Sequence, residues 1–512
     1  MTALVPTQQP NDTYITFADW GTVGSQVIFV HKNDIYYKSD ANAAPIRLTN
    51  TGEDMVIYNG IPDWLYRREI LMNSPKTFWL SPVGTKLVYT TIDDSGVDLM
   101  IWPFYSTGKL AQGYHNQYPK IEMVRYPKVG RPNPTIALHC IDLTQLRDYN
   151  DSIGKLTAHL KPPKDITDYG DHYMTTLKWV DDHVVCANWV TRAQNVSVMT
   201  CYSSRANWEP ISNFKLQSSS GWIDFSTNYG LDLIVVTPDG ESYLIKVPKM
   251  SDNGRDVFPH IAKVSVSSAE SSFLTSGVFE VKDILNVNTE SDKIYFTATF
   301  PSNPGEKHLM SAPLTQSSAA AKAEPVCHTC LINTYTTDKT NICLVSDATF
   351  SEGAKHYIHH CLGPNIPQSV IRRTVDDRLL HTLEDNKRLN TKLKDLSVPK
   401  TIFMKVPVGR YQIDVQLFVP QYFDSESKRK YPLVFNVYGG PGAESEYVSH
   451  KYFYNQFGSY LVSNKSVIYA YLDSRGAPNR GQEFMFEIYR RLGTVEVEDT
   501  IAVARAVVKG FV

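Results

Sequence analysis

The sequence predicts a long all-β region followed by the beginning of an α/β sheet domain, and three observations point there. Short apolar runs separated by polar turns recur from the N-terminus to about residue 395 without a convincing helix. The aromatic content is 12%, with 30 Tyr, a composition that suits half-buried pleated surfaces. Near the C-terminal end the pattern changes. Tyr431-Pro-Leu-Val-Phe-Asn-Val-Tyr-Gly-Gly-Pro-Gly442 and Ser466-Val-Ile-Tyr-Ala-Tyr-Leu-Asp-Ser-Arg-Gly476 are β-rich runs that stop abruptly. Such runs have the form of parallel strands buried on both faces.

Within the β region, Ser25–Tyr37 holds two strands joined by a Lys-Asn-Asp turn, and Trp79–Thr91 repeats the layout around Ser-Pro-Val-Gly. Related patterns occur at Leu177–Ala187 and Lys293–Ala298, and Trp222-Ile-Asp-Phe225 reads as a strand partnering one in Asp232–Gly240. Their irregular spacing fits four-stranded β-propeller blades, with an array of β-sandwiches as the alternative. Asp376–Asn390 reads as a short strand followed by a polar connector or helical turn that ends this domain. The expected boundaries are 1–395 for the propeller and 396–512 for the α/β part. Tyr411–Pro420 alternates like an antiparallel strand with one solvated face, and Glu496–Val508 is amphipathic at helical spacing. Gly439–Gly442 releases the backbone at a strand's carboxyl edge, where α/β folds place their chemistry.

Composition excludes several classes. A formal charge of −2 and a pI near 6.7 give no electrostatic footprint for nucleic acid. No apolar run is long enough to span a membrane, and the first residues lack the basic and apolar regions of a signal peptide. Nucleotide-binding glycine motifs and the His-Glu-x-x-His zinc motif are missing, so no cofactor is expected. Of seven cysteines, Cys327, Cys330, Cys343 and Cys361 cluster, whereas Cys140, Cys186 and Cys201 are scattered along strand-like segments. The cluster reads as disulfides, with a metal site involving His328, His359 or His360 as the rival. Asn-x-Ser/Thr sequons stand at Asn11, Asn150, Asn195 and Asn464. With the cysteines they favour an extracellular or lumenal setting, and the missing leader then reads as a truncated start.

Val437-Tyr-Gly-Gly-Pro441, Asp473-Ser-Arg-Gly476 with Gly481, and Arg490-Arg-Leu-Gly-Thr-Val-Glu-Val-Glu-Asp499 together resemble the prolyl oligopeptidase clan, most closely the dipeptidyl peptidase IV family. The resemblance implies an eight-bladed propeller, its first part missing here, ahead of a serine-peptidase domain. It implies Cys327–Cys330 and Cys343–Cys361 bridges, and a cell-surface homodimer whose membrane anchor lies outside this chain. It also implies release of N-terminal Xaa-Pro or Xaa-Ala dipeptides from peptide substrates. Tyr438 takes the place of the family's oxyanion-stabilising hydroxyl, with a strand-end tyrosine packing in the core as the alternative.

Two departures matter. Asp63-Trp-Leu-Tyr-Arg-Arg-Glu69 matches the family's Asp-Trp-x-Tyr-Glu-Glu-Glu, in which the last two glutamates hold the substrate's amine. Glu69 keeps one carboxylate, but Arg68 replaces the other with a charge that cannot be shed, so Glu69 either anchors an amine or pairs with Arg68 structurally. Arg475 and Arg490-Arg491 are expected to bridge loops to nearby carboxylates. Finally, the 512 residues contain no Gly-x-Ser-x-Gly nucleophile turn. By resemblance the serine falls about a dozen residues beyond Val512, with the acid and histidine later still. The chain is therefore expected to be inactive alone, a piece of a dipeptidyl peptidase or of a non-catalytic relative that binds a channel or receptor partner.

Overall fold

The computed structural model describes residues 14–71, 73–105, 118–148, 153–224, 233–252, 254–315, 324–330, 342–427, 429–442, 447–451 and 455–511. Residues divide into two compact units, Met1–Ser219 with Val266–Glu270, and Ser220–Ser265 with Ser271–Val512.

In the first unit, Phe17–Trp20, Val27–His31, Asp34–Lys38 and Ile46–Arg47 form a four-stranded antiparallel meander in chain order. Its central hairpin turns at Lys32 and Asn33, both at positive φ (52° and 60°). That backbone twist matches the twist of the flanking strands, which is why Lys-Asn-Asp is a legible turn. A second sheet runs Thr157–His159, Thr135–Asp142, Lys86–Asp93 and Ile57–Asn59, with Phe78–Leu80 also on Lys86–Asp93. The third, His172–Trp179, Val184–Thr191, Val196–Ser203 and Pro210–Gln217, is again a meander. Its two inner strands are buried along their whole length. Trp189 there donates its indole N–H to the Tyr202 hydroxyl (2.9 Å), which donates to the Lys161 carbonyl (2.6 Å), so the largest core side chains are also satisfied. Directly opposite in register, Cys186 and Cys201 are disulfide-bonded. They are a linked pair across two strands, which the sequence shows only as scattered along strand-like segments; Cys140 is free and buried.

The second unit begins with a meander of Ile234–Val236, Ser242–Met250, Val257–Ser265 and Ser271–Phe273. Trp222–Asp224 form no strand, contrary to expectation; Trp222 instead packs edge-on against Phe486 with ring centroids 4.6 Å apart. A larger sheet follows, from Glu280–Asn288 through Leu379–Glu384. After helix Lys387–Leu393, the last sheet has the order Lys400–Val408, Tyr411–Val419, Ile468–Leu472, Leu433–Asn436. Its final pair is parallel, Leu433 facing Ile468. Helix Val495–Phe511 buries Val503 and Val507 with Val415, Leu417, Ile468 and Ala470. Val462, from helix Gln456–Lys465, joins Phe418, Tyr469 and Tyr471 on the alternate face. Strand Tyr411–Val419 is thus buried on both faces from Val415 onward, not half solvated. Its polar Gln416 is accommodated by two hydrogen bonds with the Ser449 backbone.

Candidate functional site

In the first unit, the Asp63–Glu69 segment is organised by two buried anchors. Both Asp63 carboxylate oxygens accept backbone N–H groups, from Leu65 (2.8 Å) and Tyr66 (3.0 Å), so they cap the turn that follows. Tyr66 is wholly buried, and its hydroxyl lies 3.4 Å from the Met174 amide. Residues Tyr66–Ile70 make a single π-helical turn closed by the Leu71 N–H on the Tyr66 carbonyl (2.8 Å), a local widening frequent at functional sites. Arg67, Arg68 and Glu69 are exposed on it. The Arg68 guanidinium donates to Asn73 Oδ1 (3.2 Å). Trp64 packs against Tyr126, 4.4 Å between ring centroids.

The capping Asp63 is electrostatically coupled to a second buried carboxylate, Asp94, that sequence reasoning missed. Asp94 is 1% exposed, and its Oδ1 finds no donor among the described residues. Burial, then the neighbouring Asp63 carboxylate, push Asp94 up to about 8, while the Arg125 cation opposes them. Burial likewise raises Asp63, against the pull of its backbone donors. Asp93-Asp94 looks like an ordinary polar strand end, so only the fold shows that the second carboxylate points inward.

In the second unit, strand Leu433–Asn436 delivers Tyr438, 46% exposed, to the Gly-Gly-Pro-Gly loop. The Tyr438 hydroxyl donates to the Pro441 carbonyl at a long 3.3 Å, and the ring meets Tyr447 edge-on at 6.0 Å. Tyr447 fixes the loop by donating to the Gly440 carbonyl (2.9 Å). Gly439 has φ +73°, and a Cβ there would lie 3.4 Å from Glu496 and 3.7 Å from Ser474 Oγ. At the end of the adjacent strand, Asp473 accepts the Val448 N–H (2.9 Å); burial pushes its carboxyl up to about 7, although Arg480 stands 3.7 Å away. Arg475 clamps Asp499 with its backbone and guanidinium (2.7–3.1 Å). Arg491 pairs with Glu487 (2.6 Å), and Arg490 lies over the Tyr489 ring. The loop Asn479–Gly481 rests on buried Glu280, which accepts the Gly481 (2.7 Å) and Asn479 (3.2 Å) amides. Gly481 has φ +90°, and any Cβ would strike Asp256 at 2.0 Å, so glycine is required.

Among the other singled-out residues, Cys327 is bonded to Cys330 and Cys343 to Cys361. His328 is held by Asp377 and Ser311 (both 2.8 Å), and His360 by Ser369 (2.8 Å). Asn464 is exposed on its helix and Asn195 half-buried at a hairpin end. Asn11, Asn150 and Phe225 lie outside the described residues.

A family profile described as the dipeptidyl peptidase IV N-terminal region matches residues 2–368, and one described as the prolyl oligopeptidase family matches 453–512. The chain belongs to the dipeptidyl peptidase IV family, within the prolyl oligopeptidase clan. It is 33% identical to venom dipeptidyl peptidase 4 of Apis mellifera over 97% of this chain and 60% of that protein. It is 31% identical to dipeptidyl peptidase 4 of Felis catus, covering 98% and 62%, and 30% identical to prolyl endopeptidase FAP of Bos taurus, covering 97% and 61%. The chain thus spans about three fifths of the length of these relatives. The solved dipeptidyl peptidase 4 of Porphyromonas gingivalis shares the fold with a TM-score of 0.77 at 21% identity, over 97% of this chain and 62% of that one. The successive antiparallel sheets and the final mixed sheet accordingly fit a β-propeller followed by a hydrolase domain. Among the described residues no helix is long and apolar enough to cross a membrane.

Proposed function

We propose that this chain carries the propeller, residues 1–395, and the first part of the peptidase domain, residues 396–512, of an extracellular or cell-surface serine exopeptidase of the dipeptidyl peptidase IV type. Peptides with a penultimate Pro or Ala are its substrates, and Asn195 and Asn464 are glycosylation positions. The supporting observation is Tyr438. Its hydroxyl stands half-exposed at a strand's carboxyl end and, among the described residues, donates only to the Pro441 carbonyl at a long 3.3 Å, so a small rotation would free it to donate to a developing oxyanion. Glu69 supplies the anchoring carboxylate for the substrate amine.

A second reading is a non-catalytic family member that binds a protein partner, and Arg68 favours it. Exposed beside Glu69 and turned toward Asn73, it puts a permanent cation where an ammonium would have to approach.

Acyl transfer needs a nucleophile, and the 512 residues hold no Gly-x-Ser-x-Gly turn. On its own the chain is expected neither to react with a fluorophosphonate probe nor to hydrolyse Xaa-Pro substrates. Labelling that survives denaturing electrophoresis and is blocked by an Xaa-Pro peptide would overturn this. Reading the residue at the elbow of the natural polypeptide then separates the two proposals: serine supports the peptidase, aspartate or glycine the binding protein.

A further inference from the structure

The Cys327–Cys330 disulfide lies against a buried histidine that the peptidase reading does not use. Strand Val326–Cys327 pairs antiparallel with Asn303–Pro313, so Cys327 stands opposite Met310. His308, two residues earlier, projects from the same face as Met310. The Cys-His-Thr-Cys loop is fastened to that strand at both polar groups of Leu309. Its N–H donates to Thr329 Oγ1 (3.0 Å), and its carbonyl accepts the His328 N–H (2.9 Å). The ring of His308 turns Nδ1 toward Thr329 Oγ1, between the cysteines, at 3.3 Å, and Nε2 toward Glu306 at 3.2 Å. A ring nitrogen of His308 and the Sγ atoms of Cys327 and Cys330 all lie within 4.8 Å of one another.

We propose that reduction of Cys327–Cys330 converts this corner of the propeller into a site for a thiophilic divalent cation such as Zn²⁺, held by the two sulfurs and His308 Nδ1. Tetrahedral coordination at Zn–S ~2.3 Å and Zn–N ~2.0 Å needs ligand atoms about 3.5 Å apart, and two cysteines spaced by two residues form a familiar half of such sites. The disulfide bond holds the sulfurs too close for this, and breaking it permits the required separation. Glu306 supplies what metal-bound imidazoles usually have, a carboxylate on the far ring nitrogen that fixes the tautomer. Access is one-sided: His308 is buried, Cys327 half-buried and Cys330 exposed, so a reductant meets Cys330 first. A dithiol reductant gives two electrons and two protons to the disulfide and becomes a disulfide itself. The two thiols formed then lose both protons to solvent as the cation binds their thiolates. His328, His359 and His360 take no part.

Cobalt(II) is the direct probe. The chain is reduced with a phosphine, freed of it without air and titrated with Co²⁺. One equivalent is expected to bind, with thiolate-to-cobalt charge-transfer absorption and the intense visible bands of four-coordinate cobalt, and none before reduction. Cys327→Ser/Cys330→Ser should abolish the signal, and His308→Ala should weaken binding at least tenfold, about the loss a ligand-shell change brings. A signal equal in the oxidised chain, retained in the double serine variant, or unchanged in His308→Ala overturns the proposal. Should the serine variant fail to fold, X-ray absorption of the reduced, zinc-loaded chain decides. Two sulfurs with one imidazole support the site, and four sulfurs or none overturn it.

Discussion

A carboxylate taken out of water needs donors, and among the described residues Asp94 has none for Oδ1, while the Asp63 carboxylate acts on it electrostatically. Its folded value of about 8 lies above the unfolded value near 3.9. Its contribution to stability is therefore fully present below about pH 4 and is lost as pH rises through about 8. Asp94→Asn keeps the shape and cannot ionise, so it should raise stability above wild type at pH 9 by at least about 1.4 kcal/mol, the worth of one pKa unit. Thermal melts of both proteins at pH 5 and pH 9 check this, and a wild-type difference that does not change with pH would refute it. Arg68 poses the opposite question, a charge with too much freedom. Arg68→Glu restores a second carboxylate beside Glu69 and should tighten binding of a peptide with a free N-terminal amine. The gain is up to about fivefold, the ~1 kcal/mol ceiling of an exposed ion pair. Calorimetric titration with the peptide and its N-acetyl form tests the idea, because acetylation must remove the gain if the amine is what Glu69 holds. The identity of Arg68 was legible in the sequence. Its engagement with Asn73 was not, since that depends on the π-turn that fixes where the guanidinium points.

Strands and turns were legible where chemistry acts locally. Lys32-Asn33, Ser81–Gly84 and the runs before Gly439 and Asp473 announce turns and strand ends through residues whose backbone preferences allow little else. What escaped was register. Cys186 and Cys201 are separated by fifteen residues, and only the pairing of Val184–Thr191 with Val196–Ser203 sets them face to face. Gln416 misled for a related reason: a polar residue in an alternating strand signals solvent unless another backbone satisfies it, here that of Ser449. The Cys186–Cys201 link closes a loop of about 15 residues, for which the chain-entropy account gives about 3 kcal/mol. Cys186→Ala/Cys201→Ala should accordingly destabilise the first unit by about 2–4 kcal/mol. Tryptophan fluorescence, to which Trp189 on the linked strand contributes, reports the loss as an earlier unfolding midpoint in urea; coincident midpoints would show that packing of the two buried strands suffices.

At the scale of the molecule, what the last sheet leaves uncovered among the described residues bears on how the 512-residue chain by itself associates. Among the described residues, Leu433–Asn436 is hydrogen-bonded to a neighbouring strand on one side only, and Val434, Val437 and Tyr438 are exposed along and beyond it. Helix Val495–Phe511 covers the sheet with Val503 and Val507 yet exposes Val497, Ile501 and Val508. An apolar strand edge covered by no other described strand is a template for strand addition, and natural sheets blunt such edges with lysine. With a formal charge of only −2, long-range repulsion offers little resistance to contact. The 512-residue chain should therefore self-associate at micromolar concentration through this edge. Val434→Lys places a cation on the exposed side of the strand without touching its buried partners, and should lower the associated fraction several-fold. Sedimentation velocity over a concentration series measures it, and His308→Ala, remote in sequence from this edge, serves as a control. If Val434→Lys associates like wild type while a lysine at Ile501 stays monomeric, the helix face is the adhesive surface and the strand edge is not.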